Sequence, residues 1–320
     1  MGEAAQGRTN LDSETVMNQN YLDAVRLLLE VAPAVFRNPL FALKGGTAIN
    51  LFVRGMPRLS VDLDLVIADH TQSRDDALEA VATALESVRG EIAETLGFRC
   101  ELGAMSQGPE VKLFVERGQT RIKVEVNHVF RGTVLPPVHR PLSAMAQDIF
   151  FSDIELPVLA TEELYGSKLV AAMDRQHPRD LFDVLGLLDE RGLDESVVEC
   201  FVCYLAGHNR PVHEVLFGHE IDITPAFFGE FEGMTRHAVS IDDLYEARRR
   251  LFAELPKALT LRQRAFLLGL VKGEPDWSLM KCLHLQDMPA IRWKLENLAR
   301  LKKSNPGKFA RQAAELETRF

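Results

Sequence analysis

The chain has 320 residues, 46% of them hydrophobic and 26% charged, with a formal net charge of −9. That balance excludes a disordered or low-complexity polypeptide and leaves room for two domains with ample cores. No apolar run approaches the eighteen or so residues of a membrane span, and the N-terminal Met-Gly-Glu-Ala-Ala-Gln-Gly-Arg holds no apolar signal core, so the expectation is a cytoplasmic protein with no membrane association.

Residues 1–12 read as disordered, and 21–36 carry apolar residues at helical spacing, a helix that packs behind a sheet. Phe41-Ala42-Leu43 is a short buried strand. Lys44-Gly45-Gly46-Thr47 follows as a turn, and 48–53 as a short helix with Thr47 as its N-cap. From Val61 to Ile67 the sequence alternates, with Val61, Leu63, Leu65 and Ile67 on the buried face of a strand, so Asp62 and Asp64 share the other face. Two carboxylates side by side on a strand repel each other and have poor strand propensity. A hard divalent cation such as Mg²⁺ removes the conflict, because it takes one or two carboxylates and completes its shell with waters and phosphate oxygens. The diglycine suits a phosphate site, since it lets backbone N–H groups approach an anion at a helix start. A P-loop does not fit, because here the lysine precedes the glycines.

A helix over 75–96, capped by Thr71 or Ser73, comes next. Residues 110–116 and 120–127 form a hairpin around Arg117-Gly118. In its second arm Ile122, Val124 and Val126 face the core, while Arg121, Lys123, Glu125 and Asn127 share the polar face. Glu125 is thus a carboxylate outside the apolar layer, either an active-site acid or a cross-strand partner for Lys112 or Lys123. Pro136, Pro137 and Pro141 mark a connection, and 154–159 is one more short strand.

A helix over 161–175 starts at a capped Thr161, and Pro178 opens another over 178–188. Lys168 and Arg175 are seven apart and project from one side. Asp180 and Asp183, with Arg179, cluster on one face of the next helix. Taken alone these are two amphipathic helices joined by surface ion pairs. Helices follow over 194–206, 240–255, 260–272, 288–303 and 306–318. Cys200-x-x-Cys203, with His208 and His213 downstream, has a zinc-like spacing, but it sits in an apolar helical stretch where free cysteine is a core residue. Residues 245–320 hold 16 basic against 8 acidic residues, and the rest of the chain 21 against 38. Arg248-Arg249-Arg250 and the cluster Arg300, Lys302, Lys303, Lys308 and Arg311 are therefore candidates for nucleic-acid phosphate contacts, with solvated helix faces as the alternative.

Gly45-Gly46-Thr47-Ala48 followed by Arg58-Leu59-Ser60-x-Asp62-Leu63-Asp64 resembles the AbiEii/AbiGii nucleotidyltransferase toxin family. Lys168, then Arg175-x-x-Pro178-Arg179-Asp180-Leu181-Phe182-Asp183, resembles a second signature block of that family, and the likeness covers about residues 38–190. It implies an α+β fold. A nucleotidyltransferase mixed sheet flanked by helices would span 13–160, and a mainly helical domain would span 161–320, with 161–190 completing the active site. It further implies that Asp62, Asp64 and Glu125 bind metal, with Glu125 as ligand or base. Gly45, Gly46 and Thr47 would hold triphosphate, with Lys168 reaching the phosphates, Arg175 and Arg179 beside it, and Asp180 and Asp183 completing or bracing the site. The implied activity is Mg²⁺-dependent transfer of a nucleoside monophosphate from an NTP to an RNA acceptor, the 3′ end of tRNA, blocking translation, with a cognate antitoxin as partner. An exposed Thr47 hydroxyl would be a place where phosphorylation silences the enzyme. The alternatives are a small-molecule, antibiotic-modifying nucleotidyltransferase and a catalytically idle binding protein of the same fold.

Overall fold

The computed structural model describes residues 18–103, 111–127 and 129–320. The disorder expected over 1–12, and Glu110 of the hairpin, lie outside them. Asn18 caps the first helix, α1 (Gln19–Phe36), by accepting from the Asn20 N–H, and the buried residues Val25, Leu28, Ala32 and Val35 repeat along one side of it. Strand β1 (Phe41–Lys44) runs into a single α-turn, α2 (Gly45–Thr47), which widens into a π-helical turn over Ala48–Val53 where an ordinary short helix was expected. Strand β2 (Asp62–Ile67) follows, then α3 (Arg74–Leu96), whose cap is Ser73.

Strands β3 (Arg99–Leu102), β4 (Val111–Arg117), β5 (Thr120–Asn127) and β6 (Val138–Pro141), the helix α4 (Ala144–Phe150) and strand β7 (Glu155–Val158) complete the sheet region. The seven strands lie in the order β3-β4-β5-β2-β1-β7-β6. The sheet is mixed, since β2 pairs parallel with β5 and β1 parallel with β7, while the other pairs are antiparallel. The expected hairpin is β4 and β5, in a register that sets Lys112 opposite Glu125. The sequence reading missed β3, β6 and α4. β6 forms where the prolines suggested only a connection, and it does so at a sheet edge, where proline leaves no ladder partner unpaired.

After β7 the chain is helical: α5 (Thr161–Arg175), α6 (Pro178–Glu190), α7 (Glu195–Ala206), α8 (Val212–Leu216), α9 (Thr224–Ala226), α10 (Ile241–Ala258), α11 (Leu261–Val271), α12 (Pro289–Ser304) and α13 (Pro306–Glu317). Short α8 and α9 were not anticipated. α1 and α3 cover one face of the sheet, over the buried Leu63, Leu65, Leu113, Val115, Val124 and Val126, each worth about 1.5–3 kcal/mol of apolar burial. The opposite face of β1, β2 and β5 is left polar, and α5 lies over it.

Candidate active site

Pairing register brings five charged side chains together. In the parallel β2–β5 pair Asp62 lies beside Lys123 and Asp64 beside Glu125, and in the antiparallel β1–β2 pair Lys44 lies beside Asp64. Partners in register share a face, so all five line one pocket of about 620 Å³. Gly45, Gly46, Arg58 and Ser60 form one wall. Lys168 and Arg175 of α5, Arg179 and Asp180 of α6, and Phe130, Tyr204, His208 and Asn209 also line the pocket.

The diglycine is required by space as well as by conformation. Gly45 has φ +76°, and a Cβ there would lie 2.3 Å from Asp64 Oδ2, while one on Gly46 would lie 2.6 Å from Arg58 Nη2. The turn can therefore approach the aspartate and the guanidinium only without side chains. Thr47 corrects two expectations. It stands at the N-cap position of the Ala48–Val53 turn but is helical there and makes no capping hydrogen bond. Nor is its hydroxyl exposed, because the residue is 0% accessible, with Oγ1 2.5 Å from the Asp62 carbonyl to which it donates and 3.0 Å from Ser60 Oγ. The turn directs that side chain inward, where it pins the start of β2.

Charge is unevenly satisfied across the pocket. Burial raises the Asp64 pKa above the usual aspartate value, and neighbouring Asp62 raises it further. Neither carboxylate forms a salt bridge among the described residues. Glu125 is different. Burial would lift its pKa, but Lys123 at 2.5 Å and Lys112 at 3.3 Å outweigh that and hold it below the usual value. The cross-strand pairing considered for Glu125 is thus present with both lysines.

Those features bear on a divalent cation. The raised Asp64 value comes from burial and Asp62 against the pull of Lys44, Lys168 and Lys123, and paired carboxylate oxygens that make no salt bridge among the described residues are the donors a hard cation takes. Asp62 and Asp64 fit such an ion. No three acids, histidines or cysteines among the described residues converge into a full protein cage, and Glu125 as third ligand would have to exchange its lysine contacts.

Above the carboxylates runs a buried charge network. Lys168 Nζ lies 2.7 Å from Asp180 Oδ1 and 3.0 Å from Asp183 Oδ2, and Arg175 Nε donates to Asp180 Oδ2 at 2.5 Å. Arg58 grips Asp183 with Nε at 2.8 Å and Nη2 at 2.6 Å, and Asn50 Nδ2 adds a bond at 3.0 Å. Asp180 and Asp183 are 1% and 0% exposed. Burial would push both pKa values up, but Lys168 and Arg175 hold Asp180 down, and Arg58 and Lys168 hold Asp183 down. Both acids are thus fully engaged by cations and amide donors of the pocket. Lys168, expected to reach phosphates, has its ammonium held by both, and Arg179 Nη2 lies 3.9 Å from Glu230.

Of the basic triplet, Arg248 is corrected: it is buried, donates to Gln176 and the Ile221 carbonyl, pairs with Glu220, and packs α10 against the Gln176 segment. Arg249 is exposed beside Glu246, and Arg250 pairs with Asp189. Lys302, Lys303, Lys308 and Arg311 are exposed, and Arg300 pairs with Glu296. Cys200 and Cys203 are buried on α7 in the core.

Arg58, Lys44, Lys123 and Tyr204 line the pocket without having been assigned a role from sequence. A signal existed for two of them. Lys44 ends a strand one residue before the diglycine, and Arg58 stands four before Asp62.

A match to the family described as nucleotidyl transferase AbiEii toxin, type IV toxin–antitoxin system, spans residues 26–297. Among solved structures the chain is similar to MenT4, a nucleotidyltransferase toxin from Mycobacterium tuberculosis H37Rv, with a TM-score of 0.58 and 20% identity over 88% of this chain and 94% of that one. That likeness carries the fold. No curated protein matches the chain in sequence.

Proposed function

Because the chain belongs to the AbiEii family of nucleotidyltransferase toxins of type IV toxin–antitoxin systems, we propose that it transfers a nucleoside monophosphate from an NTP to the 3′ end of an RNA, a tRNA in the first instance. The observation that carries this is the pair Asp62 and Asp64, with no salt bridge among the described residues and Asp64 set directly against the diglycine turn in one pocket. Asp62 and Asp64 would hold Mg²⁺, which supplies charge neutralisation on the triphosphate and polarises the attacking hydroxyl.

The protein's own groups do the positioning. Backbone N–H groups of Gly45 and Gly46 would hold the triphosphate. Thr47 contributes indirectly, by fixing the Asp62 backbone through its hydroxyl. Glu125, kept ionised by its lysines, would be the third acid of the site, as metal ligand or as base for the incoming hydroxyl. Asp180 and Asp183 hold Lys168, Arg175 and Arg58 in place along the pocket, and acceleration would come from fixed geometry and charge.

An RNA acceptor is favoured over a small antibiotic by what borders the pocket. Lys294 of α12 donates to the carbonyls of His208 at 2.8 Å and Arg210 at 2.6 Å, so α12 is anchored to the pocket lip. The exposed cations Lys302 and Lys303 follow on the same helix, a sequence-independent attraction for a polyphosphate strand. An antitoxin protein encoded with the chain is the partner that silences it, and the setting is the cytoplasm, where tRNA is charged. No helix among the described residues is long and apolar enough to cross a membrane.

The test is incubation of the purified chain with Mg²⁺, each labelled NTP in turn, and either bulk tRNA or aminoglycosides. Label in tRNA supports the proposal, label in the aminoglycoside moves the activity to small molecules, and label in neither removes it.

A further inference from the structure

Resting on that reading, we infer that Lys44 is the cation that meets the nucleotide triphosphate, because it is the one basic side chain of the pocket left without a carboxylate among the described residues. Arg58 is taken by Asp183, Lys168 by Asp180 and Asp183, Arg175 by Asp180 and Lys123 by Glu125, while Arg179 lies 3.9 Å from Glu230 and His208 3.5 Å from Asp174. The Lys44 ammonium instead rests 5.5 Å from the centre of the Tyr204 ring. That ring is held by its hydroxyl, which donates to buried Glu163 at 3.0 Å.

Its position fits the role. Lys44 is the last residue of β1, in register with Asp64 and directly before Gly45, so its side chain shares the polar face with the metal-binding carboxylates. Burial lowers its pKa, with Lys168 and Arg175 adding to the effect against Asp64 and Glu163. A desolvated ammonium with carboxylates nearby but none in salt-bridge contact among the described residues costs stability that packing does not return. An arriving triphosphate supplies the missing negative charge. During transfer the acceptor oxygen bonds to the α-phosphorus as the bond to the pyrophosphate oxygen breaks. Pyrophosphate leaves with that electron pair, the hydroxyl proton passes to water, and Lys44 keeps its own protons as charge builds on the phosphoryl oxygens.

Lys44→Met and Lys44→Arg, with the unaltered chain and Asp64→Asn as references, test this with Mg²⁺–tripolyphosphate as probe. Lys44→Met is expected to keep or raise the thermal midpoint without ligand. It should also lose most of the midpoint increase given by tripolyphosphate and label acceptor about 100-fold more slowly, with Lys44→Arg recovering part of both. Full tripolyphosphate stabilisation and labelling within about threefold of the unaltered chain would overturn the inference. So would a lowered midpoint without ligand that Lys44→Arg does not restore, since that marks a structural lysine. Should the unaltered chain label no acceptor while tripolyphosphate still stabilises it through Lys44, the transferase reading falls and the Lys44 site stands.

Discussion

Arg58 and Asp183 are joined by two hydrogen bonds, Nε to Oδ1 at 2.8 Å and Nη2 to Oδ2 at 2.6 Å, with side-chain exposures of 2% and 0%. The pair ties the loop before β2 to α6 and so presses the helical half of the chain onto the diglycine turn. Replacing one partner leaves the other buried and uncompensated. Arg58→Met and Asp183→Leu should each cost about 3–5 kcal/mol in urea unfolding, and the double variant far less than their sum. Strict additivity would show that the clamp is not what holds these elements together.

Asp64→Asn should abolish nucleotide incorporation and yet unfold at a slightly higher temperature without ligand, because it removes a desolvated charge that Asp62 repels. Added Mg²⁺ should stabilise the unaltered chain and leave Asp64→Asn unchanged. An equal Mg²⁺ effect on both would place the ion elsewhere.

Acid should act in two separate steps. The raised Asp64 pKa means the proton competes with the metal at a pH above the ordinary aspartate range. The acid limb of incorporation therefore lies there and moves to lower pH as Mg²⁺ is increased. Asp180 and Asp183 have depressed folded-state values, so their contribution to stability is complete above the unfolded carboxylate value of about 4 and fades as pH falls below it. Circular dichroism followed alongside activity should show a folded, inactive protein between the two. Simultaneous loss of both signals contradicts this ordering.

Thr47→Val removes the hydroxyl that holds the Asp62 carbonyl. The expected loss is about 1–3 kcal/mol of stability, with the KM for NTP nearly unchanged, and Thr47→Ser should behave as the parent. A tenfold rise in KM without destabilisation would return the hydroxyl to the phosphates.

Reversing Lys302, Lys303, Lys308 and Arg311 to Glu should weaken RNA binding, flatten its dependence on salt, and leave labelling of a very short 3′-end oligonucleotide near the parental rate. An unchanged salt slope would take the RNA path off α12 and α13.

Alternation along 61–67 and 120–127 was enough to put Asp62, Asp64 and Glu125 outside the apolar layer, because in a strand local spacing alone sets side-chain direction. The mixed fold, the family and most helices were legible for the same reason, each being a regular period or a short linear pattern. Which polar groups face each other was not legible. The adjacency of Asp64 and Glu125 comes from strand pairing, and the Arg58–Asp183 clamp spans 125 residues. Thr47 and Arg248 turn inward to partners supplied by distant segments. The widened turn over Ala48–Val53 also breaks the 3.6-residue spacing that sequence reading relies on. Periodicity determines where a side chain points, whereas burial against remote elements decides whether its charge is already spent, and only the second distinguishes Lys44 from the other cations of the pocket.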